Sequence, residues 1–239
     1  MTTASIFRES EALRVIVADG VRRRASHAFA CPAVICVVEG PAAGWLVAGA
    51  ERWIGATGML LLNALVPLTD LGGPSGKRRV VTALFRRHWI ARRMAGRRGF
   101  DPQRPFVRVV APLGGDLRRA FAQVADARAP HAFEAASAEL AALLIDAYAA
   151  ADVPIPTRAL DYRIRRAMEF AAARPGRRVA IDDMLAASRL SRSRFFELFG
   201  ECLGMAPQEY LDALMLETVL DALGAGKTQI GKLAAALGV

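Results

Sequence analysis

The apolar residues change their repeat partway along the chain, and that change limits the fold more than any single residue does. Up to Phe85 they come as short runs punctuated by glycine and proline: AVICVVEG (33–40), GWLVAG (44–49), ERWIG (51–55), GMLLLN (58–63) and RVVTALF (79–85). Runs this short, bounded by turn formers, predict strands rather than helices. The Gly49-Ala50 break predicts a hairpin, and LGGPSGK (71–77) supplies the turn before the last strand. Beyond a basic segment at 86–108, PLGGDLRRAFAQVADA and HAFEAASAELAALLIDAYAAA are rich in alanine and leucine at helical spacing. Leu140, Leu143, Leu144 and Ala147 there fall at i, i+3, i+4 and i+7. The expected fold class is therefore α+β: a small antiparallel barrel or sandwich, then helices.

Composition narrows the function classes. With 239 residues and 54% hydrophobic content the chain can build two modest cores, which excludes wholesale disorder. Its longest apolar run, GMLLLNALVPL (58–68), is broken by Asn63 and Pro67 and falls short of a bilayer span, so no membrane partner is expected. Arg8, Glu9 and Glu11 precede any apolar stretch, which is not the order of a secretory signal, and cytoplasmic residence is the expectation. Cys31, Cys36 and Cys202 have no CxxC spacing and predict neither a disulfide framework nor a zinc site. The net charge of +9 suits a partner bearing phosphates. Its placement is uneven: from Arg158 to Arg194 there are 10 basic residues against 4 acidic, and after Phe195 there are 2 against 6.

DVPIPTR (152–158) sets Pro154 and Pro156 close together and predicts a linker. After it, Ile164, Ala167, Met168 and Ala171 define an amphipathic helix stopped by RPGR (174–177), and Ile181, Met184 and Leu185 open a short second one. Ser191 stands where an N-cap belongs. In the helix that follows, Phe195, Leu198, Phe199 and Cys202 repeat at i, i+3, i+4 and i+7 and are expected to face inward. Arg192, Ser193, Phe196, Glu197 and Gly200 occupy the opposite side. A short helix, a tight turn and a second helix with a small, polar, basic leading edge is the geometry that enters a DNA major groove. A longer helix follows, with Pro207 in its first turn.

The stretch LAASRLSRSRFFELFGECLGMAPQEYLDALML resembles the AraC-type pattern of two short helices, then Phe, Gly, a Pro-x-x-Tyr element and a linker helix. The resemblance implies a transcription regulator, an activator by family habit, with double-stranded DNA and RNA polymerase as partners. The implied DNA-facing set is Arg189, Ser191, Arg192, Ser193, Arg194, Phe196 and Glu197. Two such helix-turn-helix units are implied, and TQIGKLAAALGV (228–239) resembles the first helix of the second, so the chain is expected to stop within that unit. Glu197 departs from the usual basic residue, as do Asp212 and Met215 farther on. A carboxylate at 197 suits cytosine N4 rather than phosphate, and Phe196 suits a thymine methyl.

The strand-rich region resembles, more weakly, the cupin-like effector-binding domain that precedes AraC-type DNA-binding domains. The implied division is 1–110 for effector sensing, 111–151 for helices that cover it or join two copies as a homodimer, 152–158 for the linker and 159–239 for DNA. Trp45 and Trp53 are the expected apolar walls of a small-molecule pocket. His27, His88 and His131 lie far apart, so no metal or other cofactor is expected. The arginine-rich stretch from Lys77 to Arg98 reads first as a solvated face, and second as an attractor of an anionic effector or of phosphate. GAGKTQ (224–229) lacks the first glycine of a phosphate-binding loop, where Asp221 stands, and no catalytic constellation appears, so no enzyme is expected. The competing expectation is a small-molecule-binding β domain whose helical tail serves assembly without reading DNA.

Overall fold

The computed structural model describes residues 4–19, 26–74, 76–98, 100–150, 161–174 and 179–224. It divides into two compact units, Met1–Ser26 with Cys31–Ala64 and Leu68–Pro154, and His27–Ala30 with Leu65–Pro67 and Ile155–Val239. The stretches at 152–158, 175–177 and 225–239, which include the expected linker, the GAGKTQ segment beyond Gly224 and the expected second unit, lie outside the described residues.

Among the described residues the strands are β1 (Ala4–Glu9), β2 (Leu13–Asp19), β3 (Ser26–His27), β4 (Ala33–Glu39), β5 (Ala43–Val47), β6 (Ala50–Ile54), β7 (Gly58–Leu62), β8 (Leu68–Gly72), β9 (Arg79–Phe85) and β10 (Val110–Pro112). Helices α1 (Arg87–Arg93), α2 (Gly115–Asp126) and α3 (Pro130–Tyr148) complete the first unit. Six strands form one sheet in the order β1-β2-β9-β4-β7-β10 and four form another in the order β3-β8-β5-β6. This is the expected α+β class, antiparallel sheets followed by helices.

Register explains why the central strands read as unbroken apolar runs. Leu13 pairs with Phe85, Val15 with Ala83 and Val17 with Val81, while Val34 and Cys36 of β4 meet Ala83 and Val81 from the other side. These side chains share one face and pack with Phe121 and Val124 of α2 and Leu140, Leu144 and Ile145 of α3. The alternate residues Ala33, Ile35, Val37, Leu60, Leu62, Val80, Thr82 and Leu84 are buried too, as are Trp45, Val47 and Leu68 of the smaller sheet. A sheet covered on both faces needs apolar residues at every position, not at every second one. Burial also pushes the Cys36 thiol up to about 12, which leaves it protonated and unreactive.

The second unit contains α4 (Tyr162–Ala172), α5 (Ile181–Ser188), α6 (Arg192–Leu203) and α7 (Pro207–Gly224). Its core joins Ile164, Ala167 and Ala171 of α4, Met184 of α5, Phe195, Leu198 and Phe199 of α6, and Met205, Tyr210 and Ala213. Among the described residues no helix is long and apolar enough to cross a membrane.

Candidate nucleic-acid interface

The pose of α6 is fixed from three sides. At its start, Arg189 adopts the left-handed conformation (φ +58°), and the Ser188 hydroxyl donates to the Leu185 carbonyl at 2.7 Å while accepting from the Leu190 N–H at 3.2 Å. These bonds close the turn between α5 and α6. At its end Gly204 is left-handed (φ +69°), the common helix stop. Along its length Phe195 and Phe199 are fully buried, with ring centroids 5.5 Å apart, and Phe199 lies 5.8 Å from the Tyr210 ring.

The Pro-x-x-Tyr element thus has a physical role. Pro207 opens α7, the Glu209 carboxylate accepts from the Ala206 N–H at 2.8 Å, and Tyr210 joins the aromatic stack while its hydroxyl donates to the Met168 carbonyl at 3.3 Å. One side of α6 is consumed by packing and the other side faces outward.

That outward side carries Ser191, Arg192, Ser193, Arg194, Phe196 and Glu197, all exposed, with Arg189 exposed beside them in the turn. All seven residues of the expected DNA-facing set are thus exposed. Phe196 is 37% exposed and rests edge-on against Phe195 at 5.9 Å. Ser191 occupies the N-cap position, yet its side chain makes no cap bond.

Two ion pairs across this surface escaped the sequence reading. Arg192 donates to Asp182 of α5 at 2.7 Å with its guanidinium 5.6 Å from the Phe196 centroid, and Arg194 donates to Glu197 at 2.7 Å. The second pair sits at i, i+3 and has a spacing signal. The first bridges ten positions across the turn and has none. Both are solvent-exposed, and such pairs contribute at most about 1 kcal/mol, so phosphate oxygens can replace the carboxylates at little cost. Asp182 and Asp183 occupy the first turn of α5, and the Asp183 carboxylate accepts from the Ala180 N–H at 3.1 Å, so this acidic edge has its own local cause in helix capping.

In the β unit the two expected pocket walls separate. Trp45 of β5 is buried, whereas Trp53 of β6 is 52% exposed and lies flat over Gly44, where an added Cβ would come within 2.9 Å of its ring. Trp53 therefore belongs to the outer surface and cannot line a space between the sheets. The reason is register: Trp53 pairs with Gly44 and Trp45 with Arg52, so the two indoles emerge on opposite faces of one hairpin.

No family model and no curated protein matches this chain. Solved structures do match in fold. The crystal structure of unsaturated fatty acid bound wild-type ToxT from Vibrio cholerae strain SCE256 superposes with a TM-score of 0.57 at 12% identity, over 95% of this chain and 86% of that one. ToxT from Vibrio cholerae O395 gives 0.57 at 10% identity, over 93% and 86%. The O395 protein bound to (E)-4-(8-methylnaphthalen-1-yl)but-3-enoic acid gives 0.53 at 10% identity, over 94% and 89%. The chain thus shares the fold of ToxT.

Proposed function

We propose that this chain is a cytoplasmic, dimeric transcription regulator that binds double-stranded DNA through α6 and takes a small-molecule effector in its β unit. The observation that carries the reading is the two-sidedness of α6: an aromatic side sealed in the core, and a surface of arginine, serine and phenylalanine that is exposed among the described residues. The residue types on that surface fit direct base contact through Phe196 and Glu197 and phosphate contact through Arg189, Arg192 and Arg194. The ToxT structures that hold a fatty acid or a naphthalenyl butenoic acid support an effector site in a chain of this fold. Effector occupancy would act by shifting how the helix-turn-helix units are presented. Activation through contact with RNA polymerase follows from the sequence resemblance, as does the reading of 228–239 as the opening of a second unit. Catalysis has no part in this reading.

A mobility-shift titration at two salt concentrations tests it. Replacing Arg192 and Arg194 together by alanine should weaken binding and reduce the salt slope by about 1 for each phosphate that is no longer neutralised. An unchanged slope would remove α6 from the interface. Absence of duplex binding, or equal weak binding to every duplex, would instead favour a β unit that binds small molecules beside a helical assembly tail.

A further inference from the structure

Two neighbouring arginines at the start of β9 have opposite surroundings. Arg79 is saturated by carboxylates, with Asp19 at 2.9 Å, Glu39 at 3.4 Å and Asp126 at 3.6 Å. Arg78 is only 5% exposed, yet its Nε has no hydrogen-bond partner and its Nη2 makes one long contact, 3.4 Å, to the Pro74 carbonyl. Among the described residues no carboxylate lies within ion-pair distance of it. Arg14, buried to the same degree, faces Glu9 at 3.3 Å.

The burial of Arg78 is built into the backbone around it. A Cβ at Gly73 would come within 2.8 Å of Arg78 Nη1 and 2.5 Å of the Ala42 carbonyl, and one at Gly40 within 2.8 Å of Arg78 Cα. Two turns therefore close on this side chain only because glycine stands at both places. Asp70 is also buried, but its carboxylate accepts from the Gly72 N–H at 2.7 Å and fixes the start of the loop rather than neutralising Arg78. Gly72 and Gly76 have φ of +77° and +147°, so the chain turns at a glycine on either side of Pro74.

A lysine buried this way could shed its proton, but a guanidinium keeps its charge. Taken out of water with one long contact, it is left poorly compensated. Its Nε and Nη2 form the edge that matches a carboxylate with two parallel hydrogen bonds, and that edge is the under-occupied one. Two residues on, Val80 begins the buried alternation Val80, Thr82, Leu84 on the sheet face opposite the helices, an apolar setting for the rest of a small acid. We propose that Arg78 is the anchor of the effector site and binds the carboxylate of a small organic acid, which displaces the Pro74 carbonyl from the guanidinium. This rests on reading the β unit as the effector-binding part of the molecule.

The test uses the full chain and calorimetry with octanoate and benzoate, their neutral counterparts 1-octanol and benzyl alcohol, and inorganic phosphate. At least one carboxylate should bind saturably and its alcohol far more weakly. Arg78→Met should weaken carboxylate binding by about thirtyfold or more while leaving the alcohol unchanged, and Arg78→Lys should fall between. Without ligand, Arg78→Met should melt no lower than the wild type, since removing an uncompensated charge relieves the fold. The proposal is overturned if neither carboxylate binds, if phosphate alone binds, if Arg78→Met binds carboxylate like the wild type, or if that variant melts well below it. Mobility shifts on the same samples keep the two readings apart. Carboxylate binding through Arg78 without duplex binding retains the anchor and removes the regulator, and duplex binding without carboxylate binding does the reverse.

Discussion

The Glu9-Arg14 pair in the central sheet and the ion pairs of helix α6 hold charge in opposite ways. In the β unit the central sheet is covered on both faces, and the charge it buries at Arg14 is matched from inside the sheet, where Glu9 stands directly across the β1-β2 ladder. In the helical unit only one side of α6 is committed to the core, and the arginines on its other side are held by exposed carboxylates. A buried pair is costly to break because the surviving charge stays desolvated, whereas an exposed pair is exchanged easily. The α6 surface is thus one from which a polyanion can displace the paired carboxylates at little cost.

Adjacent phenylalanines in α6 give the sharpest way to break this contrast. Phe195→Ala should cost about 3–5 kcal/mol and unfold the helical unit, since it empties the centre of a small core. Phe196→Ala should leave stability within about 0.5 kcal/mol, because the ring is partly exposed and its removal opens no void in the core. On the proposed reading it should still weaken duplex binding, because an exposed ring and the face that supports Arg192 are both removed. Denaturant melts and mobility shifts on the two variants check this; equal loss of stability would erase the two-sidedness on which the proposed interface depends.

The next contrast sets one ion pair from each unit against the other. Glu9→Ala takes the carboxylate away from Arg14 and from Arg86, and should destabilise the β unit by about 3 kcal/mol. Asp182→Ala should change stability by no more than about 1 kcal/mol and, on the proposed reading, raise DNA affinity, since it frees Arg192 and removes a negative charge from the proposed interface. Weaker duplex binding by the Asp182 variant would show that the pair positions Arg192 rather than restraining it.

Legibility in the sequence followed burial. The strands at β4, β7 and β9 were readable because residues covered on both faces form continuous apolar runs, and the expected 79–85 segment coincides with β9. β1 and β2 were not, because Arg8, Glu9 and Arg14 interrupt the pattern, and the Glu9-Arg14 pairing that makes such charges tolerable exists only once two strands align. α1 was hidden in an arginine-rich stretch in which Ile90 is buried and Trp89 packs against the core, with Met94 just beyond its end. In the candidate interface the inward aromatics announced themselves by helical spacing. The Asp182-Arg192 bridge crosses a turn, and no local repeat encodes it. Trp53 shows the same limit, since a one-residue step in a hairpin reverses the face on which a side chain emerges.

Acid titration sharpens the comparison further. The Arg163 guanidinium, with help from the Arg163 N–H, holds the Asp161 carboxyl at about 2, below its ordinary 3.8. A depressed folded-state value means that its contribution is complete above the ordinary value and is lost as pH falls from about 4 to about 2. Asp161→Asn keeps a cap for α4 but no charge, so wild type and variant should differ in melting temperature at pH 6 and converge near pH 2. Equal melting temperatures at pH 6 would assign Asp161 a role in capping alone.

Arg189 carries a small expected change in stability and a clear split between stability and binding. Its left-handed backbone is one that side chains with a Cβ adopt at a cost, while glycine adopts it freely but loses more freedom on folding. Those effects partly cancel, so Arg189→Gly should stabilise the helical unit by about 0.5 kcal/mol. The exposed guanidinium disappears with the side chain, so duplex binding should fall and its salt slope should drop by about 1 if Arg189 meets a phosphate. A more stable variant with an unchanged salt slope would leave the turn as a structural joint and confine the DNA contacts to α6 itself.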